Sequence, residues 1–97
     1  MVVGFVAAVP SGEKVARVLM LGVLPARRRM GYGQRLMGEL YANTIARGCD
    51  TMILEVRKSN REAVGFYERQ GFALTGEINN FYSNGEDAYK MCKTLQS

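Results

Sequence analysis

The sequence predicts an α/β (α+β) fold: a mixed, mostly antiparallel sheet flanked by helices, in the order β-β-α-β-α-β-β. Three observations lead there. Short apolar and β-branched runs alternate with segments whose apolar residues recur at helical spacing. Turn and breaker residues fall between these segments. A chain of 97 residues that is 47% apolar, with two prolines, suits one ordered domain with a modest core. Residues 1–97 are therefore expected to form a single domain, without repeat, linker or low-complexity stretch.

Val2–Ala8 is rich in β-branched residues and reads as the first strand, followed by a turn at Pro10–Glu13. Lys14–Leu24 returns antiparallel to it, and Pro25 ends the strand because proline cannot donate to a sheet ladder. Leu36, Met37, Leu40, Tyr41, Thr44 and Ile45 share one face of a helix, a stripe read as core packing. Gly48 stands where that helix stops, with Arg47 favourable at its C-terminus. Thr51–Arg57 is the next strand, apolar on both faces as a central strand is. Ser59 and Glu62 have capping-box spacing at the start of a second helix, which Ala63, Phe66 and Tyr67 line and Gly71 closes. Phe72–Thr75 starts another strand, Asn79–Glu86 is turn-like, and Ala88–Leu95 forms the last strand.

Between the second strand and the first helix lies Arg28-Arg29-Met30-Gly31-Tyr32-Gly33-Gln34, a basic loop with two glycines. A strand that feeds such a loop at a helix N-terminus makes an anion site, because the first helical N–H groups lack intrahelical partners. Gly31 and Gly33 let the backbone approach a phosphate closely, and Arg28 and Arg29 add charge and donors. A dinucleotide fingerprint needs a third glycine where Leu36 stands, and no Gly-Lys-Ser/Thr of a P-loop is present. The other reading of the segment is a plain solvated turn. A net charge of +4 favours a polyanionic ligand. With no histidine, His-based triads and the common zinc sites are excluded, and no metal is expected. Cys49 and Cys92 are expected to be reduced core thiols, with a single disulfide as the alternative. No apolar run reaches membrane-spanning length and no signal peptide is evident, so the cytoplasm is expected and a membrane is not.

Glu55 stands out inside Met52-Ile53-Leu54-Glu55-Val56, because carboxylates are rarely buried unless paired or functional. It is either a general base favoured by partial burial or half of an ion pair with Arg57 on the same strand face. Tyr67 packs with Phe66 or presents its hydroxyl toward the loop, and Asn60 reads locally as an N-cap.

The Arg-x-x-Gly-x-Gly spacing of Arg28, Gly31 and Gly33 resembles the coenzyme A loop of the GNAT superfamily of N-acetyltransferases. Leu54-Glu55-Val56-Arg57-Lys58-Ser59-Asn60, then Ala63, Phe66-Tyr67 and Gly71-Phe72, is similar to the second signature of protein N-terminal (N-alpha) acetyltransferases. The tail from Phe81 to Tyr89 looks like the same enzymes, both the RimI type and the archaeal and eukaryotic catalytic subunits.

The resemblance implies direct acetyl transfer from acetyl-CoA to an amine, most readily a protein N-terminus. It implies that Arg28, Arg29, Met30, Gly31, Tyr32, Gly33 and Gln34 hold the pyrophosphate, and that the pantetheine arm runs along Leu21, Gly22 and Val23. The Val23 N–H would polarise the thioester carbonyl. It further implies that Asn60 and Tyr67 contact the cofactor, Glu55 is the base, Tyr67 is the acid, and Phe81 and Tyr82 flank the substrate. The family usually has Tyr where Phe81 stands. It also begins with a strand and two helices before the hairpin, so residues 1–97 are expected to be a GNAT domain shortened at its N-terminus. An auxiliary subunit or a second copy paired on the edge of the first strand is the expected protein partner. The competing reading is a truncated GNAT module that binds coenzyme A or a partner without catalysis. A basic RNA-binding domain built on Arg27, Arg28 and Arg29 lacks an aromatic sheet signature and an extended basic stripe, so nucleic acid is not expected.

Overall fold

In a computed structural model, residues 5–21 and 30–95 are described. The elements are β1 (Phe5–Gly12), β2 (Val15–Leu21), α1 (Met30–Ala46), β3 (Thr51–Arg57), α2 (Arg61–Arg69), β4 (Ala73–Ile78) and β5 (Ala88–Thr94). They form a five-stranded sheet in the order β1-β2-β3-β5-β4. Only the β2–β3 pair is parallel; the other three pairs are antiparallel. The expected element order and mixed sheet are therefore present.

The boundaries moved for identifiable reasons. Strand β1 runs through Pro10 to Gly12 with a register shift between them, and the reversal falls at Lys14, whose φ is 63°. Because β1 is an edge strand, the N–H that Pro10 lacks is not required by a ladder on both sides. The expected turn at Pro10–Glu13 is thus mostly strand. The stop at Pro25 lies outside the described residues. Strand β4 runs from Ala73 to Ile78, starting one residue after Phe72, which precedes it as a buried core residue.

Both helices end as expected. Gly48 (φ 88°) donates to the Ile45 carbonyl and Cys49 to Thr44, the paired bonds of a Schellman cap. Gly71 (φ 98°) and Phe72 close α2 in the same way on Glu68 and Tyr67. At the start of α2 the cap is Asn60, whose Oδ1 accepts from the Ala63 N–H. The Ser59–Glu62 capping box does not form; Ser59 instead donates to Glu86.

One face of the sheet carries the core. Burial along β3 alternates, with Met52, Leu54 and Val56 buried, joined by Ala16, Val18 and Met91 from the flanking strands. Met37 of α1 and Tyr67 of α2 complete the cluster, with Leu40, Tyr41, Ile45, Ala63 and Phe66 packed around it. The α1 stripe is core, as its spacing predicts. The opposite face of β3 presents Thr51, Ile53, Glu55 and Arg57, all half-buried, so β3 is not apolar on both faces. Cys49 and Cys92 are free thiols, both half-buried. Among the described residues no helix is long and apolar enough to cross a membrane.

Candidate active site

The site forms where β2 and β3 part. Their parallel ladder runs only from Val15↔Thr51 to Arg17↔Ile53. Beyond it, β2 stays paired to β1 as far as Leu21, and β3 stays paired to β5 as far as Arg57. Val18–Leu21 and Leu54–Arg57 therefore diverge into a wedge with roughly 13 Å of strand on each side. Each inner edge carries backbone donors and acceptors that the opposite strand does not bond.

Glu55 lies on the sheet face opposite the core, at the apex of this wedge. Its Oε1 accepts from Arg17 Nε at 2.9 Å and meets Arg17 Nη2 at 2.7 Å. The carboxylate side chain is 12% exposed and the arginine 37%. The partner expected from sequence, Arg57, is engaged elsewhere: its Nη1 lies 2.9 Å from Glu86 Oε2, and its guanidinium sits 4.0 Å above the Tyr82 ring centroid. The correction follows from geometry. Arg17 is the last β2 residue in the ladder with β3, one short step from Glu55 across the sheet, whereas Arg57 is drawn toward the β4–β5 loop.

Tyr67 is buried at 3% exposure and makes edge-to-face contacts with Phe66 at 5.4 Å and Phe72 at 5.6 Å. Burial, then the neighbouring Tyr82 hydroxyl, pushes the Tyr67 phenol up to about 12. It therefore stays protonated at neutral pH. Tyr82 is raised too, first by burial and further by Glu55 and Glu86, against the lowering effect of Arg57. Tyr82 packs edge-on to Phe81 at 5.0 Å, and Phe81 is 38% exposed.

The loop that carries this aromatic pair is tied down by Glu86. Besides Arg57, Glu86 accepts from Ser59 and Asn84, bonds that hold its carboxyl below its ordinary value. Asn60 spends its Oδ1 on the α2 cap, and its amide nitrogen is not part of that bond.

Helix α1 begins at Met30, so Met30, Gly31, Tyr32, Gly33 and Gln34 form its first turns where a loop is expected. No acidic residue occupies that first turn, which suits an anion at the positive end of the helix. Gln34 is exposed, and Leu21 ends β2 opposite Phe5. Gly22, Val23, Arg28 and Arg29 lie outside the described residues. A separate open cleft of about 700 Å³, lined by Lys58, Arg61, Glu68 and Tyr89 among others, contains neither Glu55 nor Tyr67.

Sequence reasoning missed Arg17 and the Arg57–Tyr82–Glu86 clamp. A usable signal existed for the first: Arg17 is a lone charge in the apolar run Val15–Leu21, as Glu55 is in Thr51–Val56.

The sequence profile of the Acetyltransferase (GNAT) family matches residues 1–72. An N-alpha-acetyltransferase of Sulfurisphaera tokodaii is 33% identical over 87 residues, which are 89% of this chain and 52% of that protein. The N-terminal acetyltransferase A complex catalytic subunit ard1 of Schizosaccharomyces pombe is 42% identical over 73 residues, covering 74% of this chain and 38% of that protein. The crystal structure of Ard1 from Thermoplasma volcanium superposes with a TM-score of 0.88 at 34% identity, over 98% of this chain and 64% of that one. The chain spans about half the length of the archaeal relative it matches.

Proposed function

We propose that this chain, which belongs to the Acetyltransferase (GNAT) family, acts as a single N-acetyltransferase domain that moves an acetyl group from acetyl-CoA to a protein or peptide N-terminus. The observation that carries this reading is the wedge between β2 and β3, with Glu55 at its apex, together with a buried, protonated Tyr67 phenol on α2.

Acetyl-CoA fits the residues present. Two diverging strand edges with unbonded backbone groups suit an extended arm carrying amides, as an added strand would. A glycine-containing first turn of α1 without carboxylates suits a pyrophosphate. In this reading Met30, Gly31, Tyr32, Gly33 and Gln34, with Arg28 and Arg29 before them, hold the phosphates. Leu21, Gly22 and Val23 line the arm, and the amide of Asn60 reaches its other side. The cofactor supplies an acetyl group activated as a thioester.

The rest is the work of side chains. An α-amino group has a pKa near about 8 and is mostly protonated at neutral pH, yet only the neutral amine attacks. Glu55 accepts that proton, directly or through one water. Tyr67, protonated because it is buried, holds at Oη the proton that the departing thiolate takes up. Phe81 and Tyr82 flank the incoming N-terminus on a loop that Arg57 and Ser59 brace through Glu86. An auxiliary subunit is a natural partner, since the fission-yeast relative is a catalytic subunit of a complex. We place the activity in the cytoplasm.

The test is acetyl transfer to a short peptide with a free N-terminus, read as a mass gain of one acetyl group on the α-amine. Wild type is expected to transfer, and Glu55→Gln to lose about a hundredfold or more in rate. A chain that folds and binds acetyl-CoA but never acetylates the peptide would favour the binding-module reading instead.

A further inference from the structure

We propose that Arg17 is a positioning residue for catalysis: it anchors one oxygen of the Glu55 carboxylate and so aims the other at the incoming amine. This rests on Glu55 acting as the base.

Two donors of one guanidinium, Nε and Nη2, converge on the same oxygen, Oε1, at 2.9 and 2.7 Å. That geometry anchors Oε1 and leaves Oε2 outside the pair as the atom that meets a proton. The guanidinium's rigid fork of donors is preorganised for such a grip. Arg17 stands on the last rung of the β2–β3 ladder, where the wedge opens. Its place therefore couples the sheet directly to the base.

Other charged groups near Glu55 are committed or differently placed. Arg57, two residues along the same strand, is bonded to Glu86 and stacked on Tyr82. Lys90, the register partner of Glu55 on β5, is exposed. Tyr82, from the β4–β5 loop, is a raised and therefore neutral phenol. Among the described residues Arg17 is the cation bonded to Glu55.

The test is kcat and KM for acetyl-CoA and a peptide, measured on the full chain as wild type, Arg17→Gln, Arg17→Lys, Glu55→Gln and the Arg17→Gln/Glu55→Gln double variant. Arg17→Gln loses the two-donor anchor, and its kcat is expected to fall about tenfold with both KM values unchanged. Arg17→Lys returns a single donor and is expected to recover part of that kcat, and it carries the test if the glutamine variant does not fold. On the Glu55→Gln background, Arg17→Gln is expected to change nothing further. A loss carried by KM with kcat unchanged, or a full Arg17 effect without Glu55, would overturn the proposal. A Glu55→Gln variant as fast as wild type at every pH would overturn the base reading itself, and this inference with it.

Discussion

Replacing Tyr67 by phenylalanine separates its two jobs. The ring is 3% exposed and makes two edge-to-face contacts, at 5.4 Å with Phe66 and 5.6 Å with Phe72. Such contacts contribute about 0.5–1.5 kcal/mol each beyond the area they bury, and Tyr67→Phe keeps both. What it loses is the hydroxyl, about 1 kcal/mol of hydrogen bonding. Tyr67→Ala empties the site and costs about 3–5 kcal/mol, a large part of the stability of a small domain. If the hydroxyl is the acid, Tyr67→Phe lowers kcat by about a hundredfold or more while the urea midpoint drops only slightly. Steady-state kinetics and urea unfolding on the same preparations decide this. A Tyr67→Phe variant with wild-type kcat would refute the acid role and leave Tyr67 as core packing.

Other outcomes follow from the same geometry. Asn60→Ala removes the α2 cap and is expected to cost about 1 kcal/mol, lowering the thermal midpoint by about 4–8 °C. The buried Tyr67 hydroxyl sits at about 12 in the fold against 10.0 in an unfolded chain. Its contribution is therefore intact below pH 10 and lost as pH rises through 12, by up to about 3 kcal/mol. Unfolding followed with tyrosinate absorbance is expected to steepen in that window, with Tyr41, raised chiefly by burial, adding to it. Arg57→Ala frees Tyr82 and Glu86 together and is expected to raise the KM for peptide several-fold while leaving acetyl-CoA affinity unchanged. Equal loss of both affinities would assign Arg57 to the sheet rather than the loop.

Local signals read well from the sequence, and pairings across the sheet did not. The α1 stripe, Gly48 and Gly71 announce themselves within one or two helical turns, and the Schellman bonds at each glycine match that reading. Asn60 rather than Ser59 caps α2 because Glu86, remote in sequence, captures the serine hydroxyl. Pro10 looks like a turn until β1 is known to be an edge strand. Arg17 and Glu55 are 38 residues apart, joined by a parallel pairing across a helical crossover, and no local period reveals that register. Nor does the sequence show that the β2–β3 ladder stops after three rungs, which is what opens the wedge between the two strands.

The most direct measurement is a calorimetric titration of acetyl-CoA into the wild-type chain and into Gly31→Glu, with adenosine diphosphate as a control. Gly31 is the second residue of α1, where a glutamate is favourable for the helix itself but repels a pyrophosphate. One-site binding by wild type that disappears in a folded Gly31→Glu variant is the predicted result. Equal binding by the two chains, or none by a folded wild type, would contradict the account.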